Sequence, residues 1–279
     1  LSEEIKKQWS EETLEAVDKL CLFDDDFMSL VFDRNIEATE YLLNTIFERS
    51  DMKVIEVVGQ REYKNPVVGG RCITIDIYAV DSTGKVYDIE VQRADSGAVP
   101  QRARFHSAMV DTRMLKEKEK FKEIKDSYVI FITQNDVMKG DLPLYHVERV
   151  VKEQNRDFGD GSHIIYVNGA YKNDDTEIGR LVHDFGCVRA ADMYNEILKK
   201  QVHYFKETEG GREVVCQIVE DAAVKIADRI AEERAAQKVI ESKVEDVKNL
   251  METMKMTVKQ AMEALRISPA EQEIISKRI

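Results

Sequence analysis

The chain has 279 residues, 43% of them hydrophobic, and a formal net charge of −12. That is length for one large domain, or a domain with an appendage, and apolar content enough for a core. No apolar run approaches the ~20 residues of a bilayer-spanning helix, and the acidic balance excludes a generic basic nucleic-acid coat. From the start, Leu1 to Leu22 is charged, with Trp9, Leu14, Val17 and Leu20 as sparse apolar points. It reads as a helical lead-in and not as a secretory leader. Asp24-Asp25-Asp26 precedes Phe27, Leu30, Val31 and Phe32. Three adjacent acids invite a metal, yet an acidic helix start complements the helix dipole and is the plainer reading. A helix follows from about Arg34 to Phe47, with Ile36, Leu43 and Phe47 as apolar points. Met52 to Val58 reads as a strand, and Asn65-Pro66 and Gly69-Gly70 punctuate the loop after it.

Two neighbouring strands come next, Ile73-Thr74-Ile75-Asp76-Ile77-Tyr78 and Val86-Tyr87-Asp88-Ile89-Glu90-Val91-Gln92. Both alternate with period two and are rich in β-branched and aromatic residues. The alternation sets Ile73, Ile75 and Ile77 on one face and Thr74, Asp76 and Tyr78 on the other. In the second strand, Tyr87, Ile89 and Val91 oppose Asp88, Glu90 and Gln92. Asp81-Ser82-Thr83-Gly84-Lys85 suits a three-residue hairpin loop with Gly84 left-handed. Asp81 then pairs with Lys85, and Asp76 falls opposite Glu90. Opposed side chains lie roughly 4.5–5.5 Å apart at Cβ, where like charges destabilise a sheet. A divalent cation is the simplest compensation, since Mg²⁺ is typically held by one or two carboxylates with waters and phosphates.

After Gln92 a short loop leads to Pro100, suited to a first helical turn. The helix is expected to run to about Lys125, packing through Phe105, Ala108, Met109 and Thr112, with Arg102, His106 and Arg113 on another face. Tyr128 to Thr133 is a continuous apolar run, typical of a buried strand. Residues 1–40 carry a local balance of −8 and residues 92–125 one of +4, so a basic helix stands beside an acidic site.

Farther on, Leu144 to Val151 and His163 to Val167 suggest a hairpin around Gly159-Asp160-Gly161. Asp174 to Glu177 resembles a capping box, and Ala190 to Lys206 is amphipathic through Met193, Ile197, Val202 and Phe205. Gly210-Gly211 marks the best boundary. Arg212 to Met254 has neither Gly nor Pro, and Ile240, Val244, Val247, Met251 and Met254 follow a three-four spacing, as in a coiled-coil seam or helical arm. Thr257 with Gln260, and Ser268-Pro269-Ala270-Glu271, cap two short terminal helices, a helix-turn-helix-like pair read as packing or oligomerisation elements more than as DNA readers. The expected division is therefore a lead-in over 1–22, a main domain over 23–209 and a helical arm over 210–279.

At Asp76, at Glu90-Val91-Gln92 and at Arg102-Ala103-Arg104-Phe105-His106, the chain resembles the PD-(D/E)XK nucleases, in particular their transposase-associated, recombination-promoting branch. The resemblance implies an α/β restriction-endonuclease-like αβββαβ core with a mixed sheet. It implies a metal-dependent DNA endonuclease, with Mg²⁺ or Mn²⁺ held by Asp76, Glu90 and the backbone carbonyl of Val91. Gln92 stands where the family pattern most often has lysine. An amide orients water but brings no charge and is no base near neutral pH, so slow or metal-limited cleavage is the expectation. Family members often draw a further acid from the first helix, here Glu37 or Glu40, whose alternative is a solvated helix face. Asp88 is either an acid supporting Glu90 from deeper in the strand or an exposed strand residue. Arg102 and Arg104 read as phosphate contacts, the alternative being a solvated basic face. His106 falls where an aromatic is usual in the branch.

The competing reading is a DNA- or protein-binding module that keeps the nuclease fold with weak or no cleavage, favoured by Gln92 and the acidic net charge. Cys21, Cys72, Cys187 and Cys216 form no CxxC pair and suit buried thiols in a reducing cytoplasm. The other histidines, His146, His163, His183 and His203, show no metal-ligand spacing. No nucleotide-binding fingerprint appears. The expected partners are DNA and a second copy of the chain, joined through the C-terminal arm, and no membrane.

Overall fold

The computed structural model describes residues 9–279, which form two compact units dividing at Ile218 and Val219. The first opens with α1 (Glu11–Lys19), α2 (Asp25–Phe32) and α3 (Ile36–Ile46), followed by β1 (Val54–Tyr63), β2 (Ile73–Asp81) and β3 (Val86–Gln92). Then come α4 (Pro100–Asp111) and β4 (Ser127–Thr133). After β5 (Leu144–Val147), a small ribbon of β6 (Val150–Val151) and β7 (Arg156–Asp157) precedes β8 (Ser162–Asn168), α5 (Glu177–Gly186) and α6 (Glu196–Glu207). The six-stranded sheet has the order β1-β2-β3-β4-β8-β5. β1, β2 and β3 are antiparallel, β3, β4 and β8 parallel, and β5 closes the edge antiparallel to β8. The expected hairpin after β4 is thus a β5–β8 pair, with the ribbon inserted between its strands.

Helices cover both faces of the sheet, so its central strands are buried on both sides, as mixed and parallel sheets require. Tyr87 faces α3, stacking on Tyr128 at 5.1 Å and meeting Phe47 edge-on at 6.0 Å. Asp88 and Glu90, one residue to either side of Ile89, face α4 instead. Local chemistry sets the helix starts. The Asn35 side chain accepts from Ala38 N–H, Thr176 from Gly179 N–H, and Asn195 from Ile197 and Leu198 N–H. The cap of α5 is therefore Thr176, two residues after the expected Asp174. On α6 the buried Lys206 ammonium donates to Asp18 O (3.0 Å), Leu20 O (2.7 Å) and Val188 O, tying the end of α1 to the body.

Four expectations are corrected. α4 stops at Asp111, well short of Lys125. Beyond it the run Lys116 to Lys125 has too few apolar positions to bury against a sheet, Lys118 turns at φ 76°, and only a short 3-10 turn follows at Phe121–Glu123. α4 packs through Phe105 and Met109 as expected, and also through Ala103, His106, Ser107 and Val110. Ala108 and Thr112 face outward, and His106 faces the sheet. In β2, Ile73 and Ile75 pack together with Tyr78 and Val86 against Met109 and Val110. Strict alternation cannot place Ile75 and Tyr78 together, so the parity slips between them, around Asp76. β1 is also longer than expected, because its pairing with β2 continues to Tyr63↔Ile73.

α7 (Glu209–Met254) begins in the first unit, with Gly210 and Gly211 in its opening turn, and ends in the second. In the second unit, α8 (Val258–Ala264) and α9 (Pro269–Ser276) carry the expected capping boxes. Val247, Ala261, Met262, Ile267 and Ile275 are buried together, joined by Ile240, Val244 and Met251. The apolar seam of α7 is therefore covered over this stretch by the chain's own two helices, while Met254 is 61% exposed.

Candidate metal centre

The β2–β3 hairpin has the expected register. Asp81 N–H donates to Lys85 O (3.1 Å), Gly84 N–H donates to Asp81 O (3.0 Å), and Gly84 turns at φ 86°. Pairing proceeds through Val80↔Val86, Ala79↔Tyr87 and Tyr78↔Asp88 to Ile77↔Ile89, where the ladder ends. At the next position the two acids take over from the backbone. Asp76 N–H donates to Glu90 Oε1 (3.2 Å), and Val91 N–H donates to Asp76 Oδ2 (3.0 Å). From the other side, Ser29 Oγ on α2 donates to Asp76 O (3.0 Å). The sheet opens where its carboxylates meet, and each spends one oxygen on holding that opening.

Asp88 lies deeper in β3. His106 Nδ1 is 2.8 Å from Asp88 Oδ2, with both side chains buried. Burial holds the imidazole pKa below its ordinary value, so the neutral ring donates from Nδ1 to Asp88. Its Nε2 lone pair then accepts from Arg102 Nε at 3.4 Å. Arg102 also reaches Glu90 Oε2 at 2.5 Å, Gln92 Oε1 at 3.3 Å and Gly97 O at 3.2 Å. A Cβ at Gly97 would fall 1.8 Å from Gln92 Oε1, so a larger residue there would displace the Gln92 amide.

Three carboxyls are thus buried with one guanidinium. Burial, then the charge of Glu90, raises Asp76 against the lowering effect of Val91 N–H. Burial, then Asp88, raises Glu90 against His106 and Arg102. Asp88, wholly buried, is pushed up to about 8 by loss of solvation. Among the described residues Asp88 Oδ1 has no hydrogen-bond partner. Buried orphans of this kind call for an explanation, and buried carboxyls whose ionised forms lack compensation, with unspent oxygen lone pairs, are what a hard divalent cation would neutralise. The donor set fits such an ion: Asp76, Glu90 and, behind them, Asp88 with His106, whose ligand atoms and those of Glu90 lie within 4.8 Å of one another.

Asp76, Arg102 and His106 line a cavity of about 770 Å³. Arg104, exposed on α4, and Arg71, in the loop before β2, stand at its edge. Of the phosphate-contact candidates, Arg104 faces the cavity outwardly and Arg102 is turned inward onto Glu90. Glu37 and Glu40 are not brought to this cavity. Glu40 accepts from Val54 N–H (3.0 Å) and Lys53 Nζ (3.2 Å), and Glu37 is exposed on α3. The further acids that line it, beside Asp76, are Asp25 and Asp26, at the start of α2. Sequence reading weighed them as a helix start and looked to α3, the helix nearest β1 in the chain. The signal was that acidic run followed by Ser29, which docks α2 on the backbone of Asp76.

A second cluster, His183, Asp184 and Cys187, lies at the end of α5. There the Asp184 oxygens already accept from Tyr194 N–H (2.7 Å) and Asn195 N–H (2.8 Å), holding the loop that follows.

A family model described as PD-(D/E)XK nuclease family transposase matches residues 31–178, just over half of the chain. No curated protein and no solved structure gives a significant match. The matched span contains β1 to β4 with Asp76, Asp88 and Glu90, and α4 with Arg102 and His106. The chain belongs to the PD-(D/E)XK nuclease family transposases.

Proposed function

We propose that this protein is a divalent-metal-dependent DNA endonuclease that hydrolyses phosphodiester bonds, acting in transposition or recombination. The observation that carries the reading is the pair Asp76 and Glu90, buried side by side where the hairpin ladder opens, with Asp76 lining a cavity edged by arginines. Mg²⁺, or Mn²⁺ in its place, would be held by Asp76, Glu90 and the carbonyl of Val91. When bound, the ion supplies Lewis acidity for the phosphoryl oxygens and a lowered pKa for water. Gln92, fixed by Arg102 and by the space beside Gly97, orients water through its amide. It cannot take the proton. Asp25 and Asp26 are nearer to that task than Glu37 or Glu40, since they line the same cavity as Asp76. Arg104 and Arg71 bind the backbone phosphates on either side of the cut, where guanidinium geometry suits phosphate.

A homodimer through the α7 arm would bring two such sites to the two strands of a duplex. Val224, Ile226 and Val239 on α7 are at least half exposed, as an arm awaiting a partner would be. Four free cysteines accord with a reducing cytoplasm. Among the described residues no helix is long and apolar enough to cross a membrane.

The test is supercoiled plasmid incubated with the protein and Mg²⁺ or Mn²⁺, beside Asp76→Ala and Glu90→Ala. Metal-dependent nicking or linearisation, lost in both variants, is the expected result. DNA binding without cleavage, indifferent to metal and to Asp76→Ala, would replace this reading with that of a binding module.

A further inference from the structure

Four carboxylate oxygens belong to the Asp76–Glu90 pair, and they are not equivalent. Glu90 Oε1 accepts from Asp76 N–H and Asp76 Oδ2 accepts from Val91 N–H, so these two are committed to the strand opening. Each of these keeps one lone pair, whereas Asp76 Oδ1 and Glu90 Oε2 have both clear of the backbone and are the oxygens a cation approaches most readily. The second of these is the oxygen held by Arg102 at 2.5 Å. We infer that the Arg102 guanidinium is a built-in counter-ion that divalent metal displaces from Glu90, so that Arg102 opposes metal loading and, once displaced, is released toward the substrate phosphate. The inference rests on the proposed metal site and adds a regulation of it.

Charge and geometry support the exchange. A guanidinium hydrogen-bonded to Glu90 Oε2 and a divalent ion bound about 2.0–2.1 Å from the same atom would be like charges within a few ångströms, in a medium that screens poorly. The guanidinium has somewhere to go, because the Arg102 side chain is 35% exposed whereas Glu90 is fully buried. Its remaining partners are all neutral: Gln92 Oε1, Gly97 O and His106 Nε2. Glu90 is the only carboxylate with which it forms an ion pair among the described residues. Losing that pair therefore costs Arg102 its one charged contact, which a phosphate could replace.

The consequence is a sign. An arginine remote from the metal ligands would leave metal affinity unchanged when removed. A displaced counter-ion raises it. Removing one positive charge favours a dication about twice as strongly as it favours a single proton, so the direction holds wherever metal loading releases fewer than two protons.

Mn²⁺ is titrated calorimetrically into the full chain without DNA, for the wild type, Arg102→Met, Arg102→Gln, Arg102→Lys and Glu90→Ala, with circular dichroism checking the fold. Both neutral variants are expected to bind Mn²⁺ about tenfold more tightly than wild type or better, Arg102→Lys close to wild type, and Glu90→Ala not at all. Equal or weaker binding by the folded neutral variants, with binding still lost in Glu90→Ala, overturns the counter-ion role and leaves the metal site standing. No binding by any variant, or binding indifferent to Glu90→Ala, overturns both. If Arg102→Met does not fold, Arg102→Gln, close in shape and still hydrogen-bonding, carries the comparison.

Discussion

Asp88 and His106 illustrate how much a buried polar pair constrains its surroundings. Among the described residues, His106 is the hydrogen-bond partner of Asp88 at Oδ2, and Oδ1 has none. Replacing His106 by Leu leaves a buried carboxyl with nothing to bond, and is expected to cost about 1–3 kcal/mol by urea unfolding. Adding Asp88→Leu should recover part of that loss, because removing both partners is cheaper than orphaning one. A double variant as unstable as the sum of the singles would contradict the pairing. Gly97 makes a different demand. Gly97→Ala pushes a methyl into Gln92 Oε1, and the expected outcome is cleavage slowed by about 10–100-fold with little loss of stability, since displacement by an ångström is enough to lose alignment. Cleavage kinetics set beside a melting curve separate the two effects.

Elements were legible in the sequence where a local rule decided them. Gly84 and the alternation of β2 and β3 set both the turn and the register, and with them the meeting of Asp76 and Glu90. Thr257 and Ser268 announced their helices through capping boxes. What stayed hidden depended on tertiary packing. The end of α4 was set by where the sheet stops offering a surface, and the parity slip around Asp76 by α4 drawing Ile75 and Tyr78 into one cluster. The engagement of α2 with the cavity needed elements far apart in the chain, and that of Arg102 with Glu90 needed the way α4 packs on β3. The turn itself is testable. Asp81 accepts from Thr83 N–H, Thr83 Oγ1, Lys85 N–H and Tyr87 O–H. Burial works against its charge, but these bonds outweigh it and hold the pKa below the ordinary value. A depressed acid contributes stability above its unfolded pKa, about 3.9, and loses it as pH falls through the folded value. Asp81→Asn should therefore cost about 1.5–3 kcal/mol at pH 7, with the deficit shrinking below about pH 4. A deficit constant with pH would show that the charge on Asp81 is not what the turn uses.

At the scale of the whole molecule, the division at Ile218 and Val219 separates a unit holding the candidate metal centre from one built on Val247, Ile267 and Ile275. Ile275→Ala, at a fully buried position, should destabilise the second unit by about 2–5 kcal/mol. Hydrogen exchange should show faster amide exchange over residues 258–276 and unchanged protection over residues 73–92. Loss of protection in both would mean that the chain unfolds as one body. The central claim concerns the first unit alone: that the opening between β2 and β3 is where a divalent cation binds. The most direct measurement is affinity cleavage, with Fe²⁺ substituted for Mg²⁺ and peroxide and ascorbate added, so that the backbone is cut beside the bound ion and the fragments are mapped by mass spectrometry. The account predicts cuts clustered near Asp76 and between Glu90 and Gln92, suppressed by excess Mg²⁺ and absent in Glu90→Ala. Cuts confined to His183 through Cys187, or cuts at the hairpin that persist in Glu90→Ala, would contradict it.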